Sequence, residues 1–328
     1  MRLRSVTALL LVLSGVLLVG VVVPGILRFV HMFGAHAGPA LTQEEIEAAY
    51  NSTLGEKTRP QRIPKIIHQI FHNWKDPGSD TIPDDWDEVR ATCKKHNPDF
   101  EHRLWTETAS RDFLSEHYPW FLNTYDGYKF PVQRIDSLRY FLMLKFGGIY
   151  MDLDNGCSRD LTPLLYYPSF LTDGGKGTLS NNIIGTRPNH PFWKLVTDSL
   201  IPWSYYYILP YFTIHYASGQ WFLTAIWAKY FARMPADADE DDNIYRVMMD
   251  MGEGGARWVF FTQGRGGSWD NWDNHFFSYI GNVMVPWIVR NVLWFPIVGA
   301  LVFGGLFWLR RRRRTSKKGY KVVEGNMA

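Results

Sequence analysis

Between Pro131 and Asp154 the chain changes its hydrophobic period in a way that few folds accommodate. Apolar residues recur at helical spacing (Ile135, Leu138, Phe141, Leu142) until Gly147-Gly148 stops the helix. A short β-type run, Ile149 to Leu153, follows at once and carries two aspartates separated by one residue, Asp152 and Asp154. A helix that turns straight back into a buried strand is half of a crossover unit, so this stretch belongs in an α/β sheet. The residues before it agree. Pro64 to Phe71 reads as a buried strand, Trp86 to His96 as a helix, Glu101 to Trp105 as a second strand, and Thr106 opens another helix. The alternation predicts a Rossmann-like, mostly parallel sheet with the aspartate pair at the carboxyl end of a strand, where open sheets of this class bind ligands.

Two carboxylates so placed can share one hard cation, and such a cation can offset the charge of a diphosphate leaving group. Taken alone, an Asp-x-Asp pair is weak, because two surface carboxylates give the same pattern. Its context strengthens it: Asp136 and Arg139, at i and i+3 on the preceding helix, share one face and can reach the same ligand. The rival reading of that pair is a surface ion pair.

Charge excludes one class of partner. Residues 31–289 hold 23 Lys and Arg against 31 Asp and Glu, a net of about −8, and the surplus of positive charge sits at the two ends. An acidic middle lacks the basic footprint of a nucleic-acid binder. The 14 tryptophans and 16% aromatic content suit work at a lipid interface. Cys93 and Cys157 could be bonded in an oxidising compartment or buried as two free thiols, and spacing leaves both open.

Hydropathy divides the chain into a short cytosolic N-terminus (1–7), a transmembrane helix (8–30), a polar stalk (31–62), a central domain with aromatic, membrane-facing segments (63–289), a second span (291–309) and a basic tail (310–328). Five arginines, Arg310 to Arg314, follow the second span, so the positive-inside rule puts the tail in the cytosol. Two spans then return the N-terminus to the cytosol and leave the middle lumenal. The sequon Asn51-Ser52-Thr53 agrees with that side, and Thr42 with Glu45 predicts a capping box opening a short helix in the stalk.

Several runs together carry a resemblance: Ile63 to Ile70, Leu104-Trp105-Thr106, Asp136 with Arg139, and Gly147 through Asp154. They resemble the glycosyltransferases with an Asp-x-Asp sugar-nucleotide motif, family 32 in particular, and within it the fungal mannosyltransferases that act on inositol phosphorylceramide. The likeness spans about residues 60–275. It implies a GT-A fold, GDP-mannose as donor, Mn²⁺ or Mg²⁺, retention of configuration, a Golgi-type membrane and a membrane-embedded regulatory subunit.

Carried over by position, the resemblance makes Asp152 and Asp154 the metal and donor ligands, with Asp136 and Arg139 contacting the sugar or ribose. Ile67, His68 and Gln69 would border the nucleotide, Tyr150 and Asn182 would join the donor side, and His190 would be structural. Ser218-Gly219, Ser268 and Trp269 would line the donor pocket. Two departures stand out: Gln220 replaces a usual proline, and Asp270 replaces a common histidine, so a third metal ligand is open among Ser268, Asp270 and His275. The aromatic stretch 201–231 offers Tyr206, Tyr207 and Phe212 as a rim for a lipid acceptor, ordinary core packing being the rival for 221–231. The competing functions are mannosylation of N-glycan chains and a catalytically silent membrane scaffold.

Overall fold

The computed structural model describes residues 13–52, 59–74, 76, 79–175, 177–235, 237–249, 258–264, 266, 272–279, 283 and 287. It divides into two units, 1–269 and 270–328. The described helix of the second unit is Trp272–Tyr279.

Among the described residues of the first unit, nine strands form a seven-stranded and a two-stranded sheet. They are β1 (Ala40–Thr42), β2 (Ile66–Ile70), β3 (Glu101–Trp105), β4 (Gly148–Met151), β5 (Asn155–Cys157), β6 (Ser169–Asp173), β7 (Ile183–Thr186), β8 (Tyr245–Met248) and β9 (Phe261–Gln263). The large sheet has the order β1-β8-β6-β7-β4-β2-β3, and β5 pairs with β9. β7 runs antiparallel to β4 and β6, and the other pairings of that sheet are parallel. The sheet is therefore mixed and mostly parallel, as the alternation of elements predicts.

Pleating gives the sheet two cores. Along β4, Ile149 and Met151 join Ile67, Cys93 and Phe170 on one face, while Tyr150 joins Leu138, Phe141 and Ile184 on the other. The helices cover these faces: α1 (Gln43–Asn51), α2 (Asp84–His96), α3 (Glu107–His117), α4 (Leu122–Gly127), α5 (Pro131–Phe146), α6 (Pro191–Trp203), α7 (Pro210–Ala217) and α8 (Gln220–Phe231).

Helix α5, the one that positions the site, begins with Pro131 in its first turn and with the Gln133 side chain accepting from the Phe130 N–H at 3.1 Å. It ends at Gly147, whose φ of 63° belongs to the left-handed region. A Cβ there would sit 2.6 Å from the Thr186 carbonyl, and one on Gly148 2.7 Å from that of Ile66. Only glycine lets the chain reverse this tightly into β4.

The segment expected as a stalk is largely built into the domain. β1 is the edge strand beside β8, α1 carries the predicted Thr42–Glu45 capping box, and Gln43 is fully buried. Gln43 Oε1 accepts from the N–H groups of Val259 and Phe260, which ties this segment to residues more than 200 positions away. Polarity alone misled the reading, since the buried amide is matched by backbone donors rather than by water. The cysteines are bonded, Cys93 of α2 to Cys157 of β5. Among the described residues one helix is long and apolar enough to cross a membrane, Leu13–His31. The expected second span, 291–309, lies outside the described residues.

Candidate active site

A cleft opens at the carboxyl ends of β2 and β4. With its open mouth included, the space it encloses is about 890 Å³. One wall comes from the chain leaving β2 (Ile70, Phe71, His72, Trp74) with Trp86 of α2. The floor comes from α5 (Val132, Ile135, Asp136, Arg139), and the far wall from Ile214, His215, Gly219 and Gln220. Asp152, Leu153, Asp154, Asn181, Asn182 and Gly266 close it.

The centre of the floor is a buried ionic network. The Arg139 guanidinium lies 3.1 Å from a carboxylate oxygen of Asp136 and 3.1 Å from Asp152 Oδ1, donates to the Asn181 carbonyl at 2.6 Å, and rests 4.6 Å over the Tyr150 ring. Asp136 also accepts from Asn181 Nδ2 at 2.9 Å and from Ser218 Oγ at 3.2 Å. Tyr150 donates its hydroxyl to Asp152 Oδ1 at 2.5 Å. The pair is thus no surface ion pair: Asp136 and Arg139 are 5% and 3% exposed. Burial pushes the Asp136 carboxyl up to about 6 despite Arg139 beside it.

Asp154 stands apart from this network. Burial and the neighbouring Asp152 carboxylate push it up to about 6. Among the described residues no Lys or Arg pairs with it. Gly264 and Gly266 lie against it: the Gly264 N–H donates to the Asp154 carbonyl, and a Cβ on Gly266 would approach Asp154 Oδ2 to 2.6 Å.

These groups fit a divalent cation. Three carboxylates face the cleft against the single guanidinium of Arg139 among its described lining residues, and both His72 and His215 are held neutral, near 4, chiefly by burial. The excess of negative charge lies beside Asp154 and the partly exposed Asp152. No cluster of three or more His, Cys, Asp or Glu ligands occurs among the described residues, so two carboxylates would leave most of the coordination sphere to phosphate oxygens and water, as oxygen-seeking cations allow.

The structure gathers in the cleft Asp136, Arg139, Asp152, Asp154, Asn182 and Gly219, named from the sequence, and adds Asn181. It moves others. Ile67, His68 and Gln69 are buried beneath the cleft rather than lining it. His68 bonds to the Gly147 carbonyl and to Trp105 Nε1, packs with the Trp105 and Phe146 rings at 6.1 and 5.9 Å, and is pushed down to about 3, chiefly by burial. The cleft starts where the strand ends, so Ile70 to Trp74 take the place expected for Ile67 to Gln69. Tyr150 supports Asp152 and Arg139 from below. Asn182 reaches the cleft, but its side chain is shared among Thr172, Ser180 and Asn155.

His190 caps α6, accepting from the Phe192 N–H and bonding to the Asn243 carbonyl, the structural part expected of it. Tyr206, Tyr207 and Phe212 lie outside the cleft lining, and Trp221 to Trp227 pack as core. Ser268, Trp269 and Asp270 are outside the described residues, as is the side chain of His275. Asn51 ends α1 with its side chain exposed. Sequence reasoning missed His72, Trp74, Trp86 and His215. The available signal was a pair of tryptophans, Trp74 and Trp86, set in an otherwise polar stretch.

The family profile described as the glycosyltransferase sugar-binding region containing a DXD motif matches residues 83–171, from α2 to β6. Over 278 residues the chain is 34% identical to inositol phosphoceramide mannosyltransferase 3 of Schizosaccharomyces pombe, covering 85% of this chain and 75% of that one. It is 35% identical over 248 residues to mannosyl phosphorylinositol ceramide synthase SUR1 of Saccharomyces cerevisiae, covering 75% of this chain and 62% of the relative. A solved structure, the PaToxG glycosyltransferase, overlays with a TM-score of 0.39 at 16% identity, covering 54% of this chain and 72% of that one.

Proposed function

The chain belongs to the inositol phosphoceramide mannosyltransferases, and from that membership we propose that it transfers mannose from GDP-mannose to the inositol head group of inositol phosphorylceramide, with retention of configuration. The observation that carries the reading is the excess of carboxylate charge around Arg139 at the mouth of β4. A Mn²⁺ or Mg²⁺ ion held by Asp154 and Asp152 would supply the positive charge that makes a nucleoside diphosphate a good leaving group.

The chain's own residues do the positioning. Arg139 is fixed by four neighbours, so the carboxylates of Asp136 and Asp152 cannot rotate away from the ligand. Asp136, with two oxygens already oriented by Asn181 and Ser218, is placed to accept from hydroxyls of a hexose in the cleft. Trp74, Trp86, Phe71 and Ile70 supply a flat apolar wall for the nucleobase. His215 and Gln220 face the cleft from the opposite wall and would meet the acceptor. His72 and His215, pushed down to about 4, are weak bases, so the acceptor hydroxyl's proton would pass to the departing phosphate oxygen as the bond from the sugar to that oxygen breaks.

The wider reading places the protein in a Golgi-type membrane, with spans at 8–30 and 291–309, the catalytic domain lumenal, and a regulatory subunit beside the spans. Lipid mass spectrometry on membranes carrying wild type or Asp152→Ala tests the function. Loss of a hexose-bearing inositol sphingolipid in the variant is expected. An unchanged lipid profile with altered glycoprotein glycans would move the acceptor to N-glycan chains. Absence of GDP-mannose hydrolysis by wild type with Mn²⁺ would leave a scaffold.

A further inference from the structure

The N-terminal apolar helix ends on an aromatic cluster rather than in solvent. Phe29, in its last turn, and Phe33, just past it, meet the Trp221 ring at 5.1 and 5.9 Å. On the other side Trp221 is stacked at 5.1 Å with His215, which lines the cleft. Two ring contacts therefore separate the foot of a membrane-length helix from the cleft wall.

The same cluster leads sideways to the loop joining α6 to α7. Tyr216 touches Phe29 at 6.4 Å and Tyr207 at 5.4 Å. Around Tyr207 the loop is strongly exposed and apolar, with Ile208 90%, Tyr205 67% and Tyr206 58% exposed. The Lys129 ammonium lies 4.0 Å over the Tyr206 ring and donates to its hydroxyl at 2.8 Å. An aliphatic tip flanked by tyrosines and one cation has the composition that settles at the head-group level of a bilayer.

The geometry points to a bilayer-docking surface, in which residues 204–208 insert their side chains at the acyl boundary beside the N-terminal helix and hold the His215 side of the cleft open to the membrane plane. The occupant is the bilayer itself, because the surface is continuous with the one described helix suited to cross it. The packing of Phe29 and Phe33 on Trp221 sets this part of the domain at the membrane, and a contact through the loop before α7 sets which wall of the cleft faces the lipid. Only the donor and acceptor used in the second arm below rest on the proposed function.

The test uses the full chain. Ile208→Cys, labelled with an NBD fluorophore, is placed in nanodiscs of phosphatidylcholine and phosphatidylinositol with neither donor nor acceptor; the native cysteines are bonded to each other. Blue-shifted emission, quenched by nitroxide lipids with a shallow label, is expected at 208. A label at Asp99→Cys, before the amino end of β3, should not be quenched. In a second arm, Tyr205→Asp with Ile208→Asp should raise the KM for bilayer-embedded inositol phosphorylceramide about tenfold, with GDP-mannose hydrolysis within about twofold of wild type. Absence of quenching at 208, or an unchanged KM, overturns the docking surface. Quenching in a protein that never uses this acceptor would overturn the proposed function and leave the surface standing.

Discussion

Asp152 and Asp154 are one residue apart and yet electrostatically different. Asp152 shares one oxygen between the Tyr150 hydroxyl and Arg139, whereas Asp154 has its proton affinity raised by burial and by Asp152 itself. The more weakly balanced carboxylate is the one a cation stabilises most. Asp154→Asn, close in shape but uncharged, is therefore expected to lower kcat by on the order of 10²–10³. Near-normal stability would show that the loss is chemical, and a kcat within a few-fold of wild type would remove Asp154 from the site. The same environment sets a pH dependence. Asp154 and Asp136 both sit near 6, so both are largely ionised at pH 7 and take up protons as pH falls through 6. A protonated Asp154 competes with the cation, so the apparent Mn²⁺ affinity in a GDP-mannose hydrolysis assay should weaken from pH 7 to pH 5. Affinity independent of pH over that range would contradict the assignment.

At the scale of elements, the turn from α5 into β4 and the staple just beyond it hold the aspartates in place. The disulfide ties α2, which carries Trp86, to β5, three residues after Asp154, and closes a sequence separation of 64. Chain-entropy arithmetic for such a loop gives about 4 kcal/mol. Cys93→Ser should lower the thermal midpoint by on the order of 10 °C, read by calorimetry of the detergent-solubilised chain. At the α7–α8 junction, a Cβ on Gly219 would lie 3.0 Å from the Ile214 carbonyl and 3.5 Å from Asp136 Oδ2. Gly219→Ala is thus expected to reduce kcat/KM about tenfold by shifting the Ile214–His215 backbone, to which its Cβ would come within 3.0 and 3.1 Å, at the cleft wall, while Gly127→Ala, where a Cβ meets nothing within 4 Å, should leave it unchanged. These elements differ in how far the sequence shows them. Helix α5, its glycine stop and the carboxylates after it are local patterns, and each is legible from spacing alone. The burial of His68 is not, because it depends on Trp105 and Phe146, distant in sequence, closing over the ring. Nor is the docking of β1 against β8, which pairs Leu41 with Val247. The cysteine pairing likewise needed three dimensions: spacing left bonded and free equally open, and the approach of α2 to β5 decided it.

For the whole molecule the open question is which side of the membrane the domain occupies. A bonded cysteine pair in the body of the domain persists in an oxidising compartment and is uncommon in the cytosol. Asn51, at the exposed end of α1, begins an Asn-Ser-Thr acceptor, and the arginines at 310–314 favour a cytosolic tail. These features support the proposed lumenal placement of the domain. The prediction is that the mature chain migrates faster after endoglycosidase H treatment, that Asn51→Gln migrates at that faster position without treatment, and that residues 31–289 resist protease in sealed microsomes until detergent is added. Their digestion in intact vesicles, with no glycan at Asn51, would place the domain in the cytosol. The disulfide would then face a reducing pool, and the aromatic loop around Ile208 would have to dock on the cytosolic leaflet instead.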